Sequence, residues 1–350
     1  MKLLCIFSNF KFVRVLQVCL LFLAFFSCRN NTGDHAKMHY GAPKAVVTSG
    51  PADTAIKGPL GYGAEVPKAM DGDTIEVKFD VVNRLVSISP TISFTAWTFG
   101  NTVPGPVLKV RQGQTIKFSM TDRTDKPTPA MNMLMNDIPM QHSIDFHAAM
   151  VNPEDKYRSI QPGETIHFQW TANYPGVFMY HCGTPMVLLH MIYGMIGMVI
   201  VEPTGGYPDK VDREYAIVQN EYYLKQHGNI YVPDTVSAMK KQPIAVAFNG
   251  RVGQYIIHPL KAKAGERIRF YVMNDGPNNA TNFHIIGTIM DKVYLDGNPY
   301  NELHGMQSVY LGPSSGAVME FVLPEKGRYT FVDHSFADAE LGAKGEIQAE

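Results

Sequence analysis

The stretch Tyr180-His181-Cys182 carries an imidazole and a thiol on adjacent residues, and His190 and Met195 follow the cysteine after eight and thirteen residues. Thiolate, imidazole and thioether groups are soft ligands, and two histidines, a cysteine and a weak axial methionine are typical of a blue-copper site. The stretch therefore supplies most of such a site, and its second histidine has to lie elsewhere in the chain.

The second histidine lies about forty residues upstream, where His142 precedes Asp145 and His147. Because successive side chains of a strand point to opposite faces, His181 and Cys182 are predicted to face in opposite directions. By the same alternation His142 lies on one face, whereas Asp145 and His147 share the other. With Cys182 and His142 on one copper, the two other histidines are predicted to face a second metal, which one peptide link joins to the first.

The amino-terminal segment has the pattern of an export signal. Residues 1–27 combine basic side chains with an apolar run that is too short for a membrane span, as in a signal peptide. The run ends at Ser27-Cys28, which resembles the lipobox of bacterial lipoproteins, where the cysteine receives the lipid. The alternative is an ordinary cleaved signal. Both predict an exported protein, in the periplasm or lipid-anchored at the outer membrane.

The cysteine count supports a metal-bound thiol. Cys5 and Cys19 lie in the predicted signal and Cys28 at its end, so only Cys182 remains in the body and no internal disulfide forms there. A free thiol in an exported protein is open to oxidation unless a metal holds it. A buried inert cysteine is the alternative for Cys182 alone, and its histidine and methionine neighbours favour the metal ligand.

Charge and length narrow the class of protein. Thirty-one basic and thirty-two acidic side chains give a formal net charge of −1, which leaves no electrostatic basis for binding nucleic acid. The chain without its leader suits about two domains. Residues 28–70 are polar and rich in glycine and proline, which predicts a flexible tether.

The remainder of the chain predicts an all-β fold. Residues 74–79, 115–118 and 165–170 alternate apolar with polar side chains, and each run follows a glycine turn. Short strands at this spacing indicate a sandwich or barrel. Helical periodicity is confined to a short candidate helix at residues 335–341.

An internal repeat divides this β region into two copies. Residues 264–270 repeat the pattern of 111–118, and 326–331 that of 175–180, both at an offset of about 150 residues. The repeat predicts two tandem domains, at 71–203 and 204–346.

The second copy is predicted to lack a blue-copper site, because Asp333 stands at the position of Cys182. It keeps two histidines near that position. We align His284 with His142, and His334 lies just past the matched strand.

These motifs together resemble the copper-containing nitrite reductases, most closely the outer-membrane lipoprotein members of that family. The resemblance covers about seven-tenths of the chain, from Trp97 to Gly345, and implies two tandem cupredoxin-like Greek-key β-sandwiches. The matching stretches are Val103-Pro104-Gly105-Pro106, His142-x-x-Asp145-Phe146-His147-Ala148-Ala149, Tyr180-His181-Cys182, Gly194-Met195-x-Gly197, Val201-Glu202-Pro203, Ala247-Phe248-Asn249-Gly250, Phe283-His284-Ile285-Ile286-Gly287 and Val332-Asp333-His334-Ser335.

The resemblance implies one type 1 and one type 2 copper per chain. The type 1 copper would receive an electron from a small cupredoxin or a cytochrome c, and its ligands would be His142, Cys182, His190 and Met195.

The type 2 copper would bind and reduce nitrite, in a homotrimer whose subunits share the site. Its ligands would be His147, His181 and, from a neighbouring subunit, His334. Asp145 and His284 would handle protons beside it, and Ile286 would shape the pocket.

Three features depart from the family pattern. Ser143 stands where the family usually has asparagine. The spacing from Cys182 to His190 matches the lipoprotein branch and departs from the other branch of the family. The stretch 122–139 is longer than usual and contains Met131, Met133 and Met135. These methionines are either packing residues, which we favour, or a copper-catching loop.

Two other classes of protein use similar residues. A laccase-like multicopper oxidase needs several His-x-His pairs, none of which occurs here, and a His-Cys-His run, whereas Gly183 follows Cys182. A non-enzymatic copper protein for electron transfer or storage needs no second metal site. The presence of five residues suited to a second metal site disfavours this non-enzymatic class: Asp145, His147, His181, His284 and His334.

Overall fold

The strands coincide with runs in which apolar and polar side chains alternate. In a computed structural model, which describes residues 63–124 and 140–350, the first strand buries Ile75, Val77 and Phe79 and exposes the residues between them. The predicted runs 115–118 and 165–170 also lie within strands. Each alternating run thus presents one apolar face to a core, as the sequence predicts.

The strands fall into two groups along the chain. The first group consists of β1 (Thr74–Ser89), β2 (Ile92–Phe99), β3 (Leu108–Arg111), β4 (Thr115–Asp122), β5 (Asp145–Phe146), β6 (Thr165–Thr171), β7 (Gly176–His181) and β8 (Ile196–Glu202). The second group consists of β9 (Arg213–Tyr222), β10 (Leu224–His227), β11 (Ile230–Pro233), β12 (Ala245–Phe248), β13 (Leu260–Ala262), β14 (Arg267–Gly276), β15 (Thr281–Ile285), β16 (Met290–Leu295), β17 (Glu302–Met306), β18 (Ser308–Leu311), β19 (Ser315–Val322), β20 (Gly327–Asp333) and β21 (Lys344–Ala349).

Helices are short and connect the strands. They are α1 (Pro153–Lys156), α2 (Val187–Ile192), α3 (Thr235–Met239), α4 (Gln254–Ile257) and α5 (Phe336–Glu340), with a 3₁₀ turn at Pro299–Asn301. Helix α5 confirms the short helix predicted at 335–341. Within the described ranges, no helix has the length and apolar character needed to cross a bilayer.

The strands form two sandwiches in tandem. In the first, a sheet with the order β10-β11-β2-β1-β4-β6 faces a sheet with the order β3-β8-β7-β5. Strands β10 and β11 of the second group thus extend a sheet of the first sandwich. In the second, the order β12-β9-β14-β19-β16-β17 faces β13-β21-β20-β15-β18. Each sandwich encloses its own apolar core, and the all-β, two-sandwich prediction is confirmed.

A third apolar cluster joins the two sandwiches. Val177 and Met179 of β7 pack with Tyr271 and Met273 of β14 in this cluster. The amide of Val177 also donates to the carbonyl oxygen of Asp296 at 2.8 Å. The back of the strand that leads to Cys182 is therefore packed against the second sandwich.

The segment predicted as a tether extends to residue 70, and its last residues are fixed. Ala64 is buried in the second core, and its carbonyl oxygen accepts a hydrogen bond from the amide of Ala216 at 2.7 Å. Glu65 forms a β-bridge with Tyr215. The predicted signal peptide, Cys28 and the three loop methionines lie outside the described residues.

Strand register corrects the alignment of His284. Asp145 of β5 pairs with His181 of β7, and His284 of β15 pairs with Val332 of β20. Because Val332 precedes Asp333 as His181 precedes Cys182, His284 stands at the position of Asp145, not of His142. Matching one histidine to another in the sequence placed the alignment three residues out of register, and Thr281 occupies the position of His142.

Candidate metal centres

Cys182 and His181 lie in different environments at the end of β7. Cys182 is fully buried in the first core, and its amide donates to the carbonyl oxygen of Met195 at 3.1 Å. The side chain of His181 is 14% exposed. The opposite orientations that strand alternation predicts are confirmed.

The Cys182 sulfur lies between a backbone donor and an imidazole. The amide of Ser143 donates to its Sγ at 3.3 Å, and Nδ1 of His190 lies 3.3 Å from the same sulfur. Burial raises the pKa of the thiol, and the Ser143 amide acts in the opposite direction. A thiol in this environment stays protonated unless a cation compensates the charge of the thiolate.

Two buried imidazoles each keep a nitrogen free of hydrogen bonds. Nδ1 of His142 lies 2.8 Å from Oδ2 of Asp122, and neither side chain is exposed. The Nε2 atoms of His142 and His190 are buried without a hydrogen-bond partner in the described structure. The rings lie 5.5 Å apart between centroids, and Trp97 contacts both.

Helix α2 and the turn after it bring His190 and Met195 to this place. The amide of Met195 donates to the carbonyl oxygen of His190 at 3.2 Å, which closes the turn, and both side chains are fully buried. Burial, followed by the charge of His142, lowers the pKa of His190 to about 3. His190 is therefore a neutral imidazole at physiological pH, the form in which histidine binds a metal.

These four residues define the first centre: His142, Cys182, His190 and Met195. A buried thiol, two imidazoles that keep unpaired nitrogens and a buried thioether fit the soft donor set of a type 1 copper. The structure brings these predicted residues together.

The second centre lies on the opposite face of β7. Nε2 of His147 and Nε2 of His181 are 3.1 Å apart, and Oδ2 of Asp145 lies 3.8 Å from Nε2 of His181. One ligand atom from each of these three residues lies within 4.8 Å of the others, and they form a group that could hold a metal ion. Burial and then the charge of His181 lower the pKa of His147, which favours the neutral ligand form.

The other residues predicted for the second centre lie apart from this group. His284 and His334 face each other with ring centroids 5.6 Å apart, and Ile286 is 52% exposed beside them. His284 lies on β15, Ile286 directly follows that strand, and His334 directly follows β20. The metal-binding group of the described residues does not include them. A single chain thus carries two separate, partly exposed histidine pairs, His147–His181 and His284–His334.

Sequence reasoning missed Asp122, the partner of His142. Asp122 ends β4 at an inward-facing position of the alternating strand that also buries Ile116, Phe118 and Met120. An acidic residue at a core position requires a buried partner. An acidic residue at a position that the alternation assigns to the core could therefore have indicated that Asp122 has a buried partner.

Comparisons with known proteins identify the relatives of this chain. A family model described as multicopper oxidase matches residues 80–206. A copper-containing nitrite reductase of Neisseria meningitidis serogroup B is 36% identical over 299 residues, with 83% of this chain and 73% of the relative covered. A solved copper nitrite reductase of Nitrosomonas europaea is 35% identical with a TM-score of 0.70, and the match covers 79% of this chain and 94% of that chain.

The more distant similarities show the fold alone. A solved multicopper oxidase is 23% identical with a TM-score of 0.68, over 82% of this chain and 94% of that chain. Together with the two sandwiches and the first centre, these matches define a two-domain cupredoxin protein. The chain belongs to the family of copper-containing nitrite reductases.

Proposed function

We propose that this chain is a copper-dependent nitrite reductase that converts nitrite to nitric oxide. In the reaction, nitrite takes up one electron and two protons and yields nitric oxide and water. The observation that carries the proposal is the pair of ligand sets on opposite faces of β7, which the His181–Cys182 peptide joins. An electron that enters at the first centre has a covalent path to the second.

The first centre accepts the electron from a small cupredoxin or a cytochrome c. Its four residues would hold the type 1 copper, and the copper supplies the redox couple that the side chains lack. The carboxylate of Asp122 fixes the ring of His142 through Nδ1, as carboxylates commonly do for metal-bound histidines. Full burial of the ligands keeps water away from the sulfur.

The second centre binds nitrite, with His147 and His181 as two of its three ligands. We propose that His334 of a neighbouring subunit is the third, in a homotrimer. Support comes from the exposure of the His284–His334 pair among apolar side chains that a subunit interface would cover, namely Ile286, Ile289, Tyr310 and Phe336. Such exposed apolar groups mark interaction surfaces.

Asp145 and His284 hold and deliver the protons. Asp145 is half-buried beside His181, and Nδ1–H of His284 donates to the carbonyl oxygen of Gln307 at 2.5 Å. This hydrogen bond leaves Nε2 of His284 available to carry a proton toward the substrate. Ile286 limits the space above the site and orients the small anion.

Export and anchoring complete the proposal. We propose that residues 1–27 direct export, that Cys28 receives a lipid, and that the domains extend over 71–203 and 204–346. The small residue before Cys28 supports the lipid. Mass spectrometry of the mature amino terminus tests it, and an unmodified terminus at another residue would contradict the anchor but not the enzyme.

An anaerobic assay tests the function directly. Copper-loaded protein is mixed with nitrite and a reduced dye, and nitric oxide is measured with an electrode. We expect formation of nitric oxide that needs both centres, so that His147→Ala removes it while the surface variant His167→Ala retains it. Wild-type protein that forms no nitric oxide from nitrite would contradict the proposal.

A further inference from the structure

The second sandwich keeps the backbone frame of the first centre without its ligands. Cys182 donates from its amide to Met195 at 3.1 Å, and Asp333 donates in the same way to Ala343 at 3.0 Å. The turns before these acceptors also match. The amide of Met195 donates to His190 at 3.2 Å, and that of Ala343 to Asp338 at 3.0 Å.

Strands β4 and β14 also correspond between the two sandwiches. The amide of Thr124 donates to Oδ1 of Asp122 at 2.9 Å, and that of Gly276 to Oδ1 of Asn274 at 3.0 Å. The positions of the four first-centre ligands are therefore occupied in the second sandwich by Thr281, Asp333, Asp338 and Ala343.

The carboxylate of Asp333 accepts three hydrogen bonds where the Cys182 sulfur would bind copper. Its Oδ1 accepts from the amides of Asn282 at 3.1 Å and Ser335 at 2.9 Å. Its Oδ2 accepts from Nε2 of Gln219 at 2.9 Å. The side chain is fully buried, so these donors replace both solvent and metal as partners of the charge.

Two of the three donors lie beside residues of the proposed second centre. Ser335 directly follows His334, and Asn282 lies two residues before His284 on β15. The amide of His334 also donates to the carbonyl oxygen of Asn282 at 2.8 Å. One carboxylate therefore ties the turn that carries His334 to the strand that carries His284.

We propose that Asp333 is a positioning residue that holds His334 and His284 in register for the second centre. The inference rests on the proposed function, because it takes His334 as a copper ligand. It assigns a role to a residue that neither binds copper nor touches nitrite. A ligand held by a backbone frame of this kind binds metal more tightly, since less ordering is required on binding.

Copper titration of enzyme depleted of its type 2 copper tests the proposal. For Asp333→Ala we expect the copper concentration at half-saturation of the second centre to rise by about 10- to 100-fold, with a changed type 2 hyperfine splitting in the electron paramagnetic resonance spectrum. The visible band of the first centre stays unchanged. Asp333→Asn should remain close to wild type, because it keeps Oδ1. Oε1 of Gln219, which has no hydrogen-bond partner among the described residues, can accept from the new amide.

Two further variants serve as controls, one for loss of stability and one for loss of the proposed copper ligand. Met319→Ala truncates the core of the second sandwich and should lower stability without changing copper affinity. His334→Ala should lose the type 2 copper. If Asp333→Ala does not fold, Gln219→Leu replaces it in the titration, since this change removes the donor to Oδ2 of Asp333. We then expect a smaller rise in the copper concentration at half-saturation.

The outcomes are distinguishable. Retention of type 2 copper by His334→Ala would overturn the ligand assignment and, with it, this inference. Loss of that copper in His334→Ala, with wild-type affinity and spectrum in Asp333→Ala or its replacement, would overturn the positioning role alone.

Discussion

The carbonyl group of Cys182 fixes the orientation of His181. Nδ1–H of this histidine donates to the carbonyl oxygen of Cys182 at 2.9 Å. This carbonyl group belongs to the peptide link after Cys182. It sets the tautomer of the imidazole and leaves Nε2 to face His147. A residue of one centre thus orients a ligand of the other.

Replacement of the thiol separates the two centres. We predict that Cys182→Ala abolishes the visible sulfur-to-copper absorption band and reduces the copper content from two to one per chain, because thiolate is the strongest donor of the first centre. The type 2 signal should persist in the electron paramagnetic resonance spectrum. Ser143→Ala, which keeps the backbone donor to Sγ, serves as the control and should retain the band. Survival of the band in Cys182→Ala would contradict the ligand assignment.

Glu221 is a buried acid away from both centres. It accepts hydrogen bonds from the hydroxyl of Tyr223 and the amides of Asn278 and Asn279. Burial raises its pKa to about 7 in spite of these donors. Because the folded-state pKa lies above the ordinary value, the folded chain binds more protons than the unfolded chain between about pH 4.5 and 7.

The unfolding free energy should therefore fall as the pH rises through this window. We predict that Glu221→Gln removes up to about 3 kcal/mol of the decrease between pH 5 and pH 8, because folding raises the pKa of Glu221 from about 4.5 to about 7. Urea denaturation of copper-free protein at constant chain concentration measures it. Glu76→Gln, on an exposed side chain, is the control. Equal pH dependence in wild type and Glu221→Gln would contradict the prediction.

The residues that meet at the first centre could be predicted from the sequence because their types and spacing are specific. The alternation along β7 placed Cys182 and His181 on opposite faces before any coordinates. Asp122 could not be paired with His142, because twenty residues of chain separate them. That contact depends on the tertiary arrangement of His142 and the end of β4, which side-chain periodicity does not encode.

At the scale of elements, close backbone contact joins β7 to the second sandwich. A Cβ atom on Gly316 of β19 would lie 2.8 Å from the carbonyl oxygen of Val177. Backbone atoms of β7 cannot move aside, because Val177 pairs with Ile200 of β8 and donates to Asp296. The absence of a side chain at Gly316 therefore sets the distance between the two sandwiches.

A methyl group at this position should separate β7 from β19. We predict that Gly316→Ala lowers the unfolding free energy by about 1–3 kcal/mol, the usual cost of overpacking. Gly312→Ala is the matched control, since its nearest neighbour would be the Ser315 hydroxyl at 3.7 Å. Chemical denaturation measures both. Equal stability of the two variants would show that the contact at β7 is not tight.

The sequence predicted strands better than it predicted their register. Alternation located β1, β4 and β6, because each buries one face. The alignment of His284 was wrong, since histidine identity was a weaker guide than pairing with β20. Register depends on contacts between strands distant in sequence, which a repeat of single strands does not determine.

At the scale of the whole molecule, the chain presents two separate histidine pairs, which are the half-sites of the proposed shared centre. The His147–His181 pair belongs to the first sandwich, and the His284–His334 pair belongs to the second. Head-to-tail contact of one with the other closes a ring when the rotation permits. The proposed trimer then contains three sites, each shared by two chains.

Mixed oligomers test the shared site. We predict that His147→Ala and His334→Ala are each inactive, and that dissociation and reassembly of an equal mixture restores roughly one quarter of wild-type activity. Only one of the four ordered pairings of neighbours joins two intact half-sites. Nitric oxide formation is measured before and after exchange, and mass spectrometry verifies the mixing. No recovery after proven exchange would mean that each site is built within one chain.

A single-turnover experiment tests the relay between the centres most directly. The protein is reduced without oxygen until its visible band disappears, excess dye is removed, and nitrite is added in a stopped-flow spectrometer with nitric oxide measured in parallel. The proposed relay predicts that the band returns as nitric oxide forms, and that His147→Ala shows neither event. A band that returns without nitric oxide, or nitric oxide released while the band stays bleached, would contradict electron transfer from the first centre to nitrite at the second.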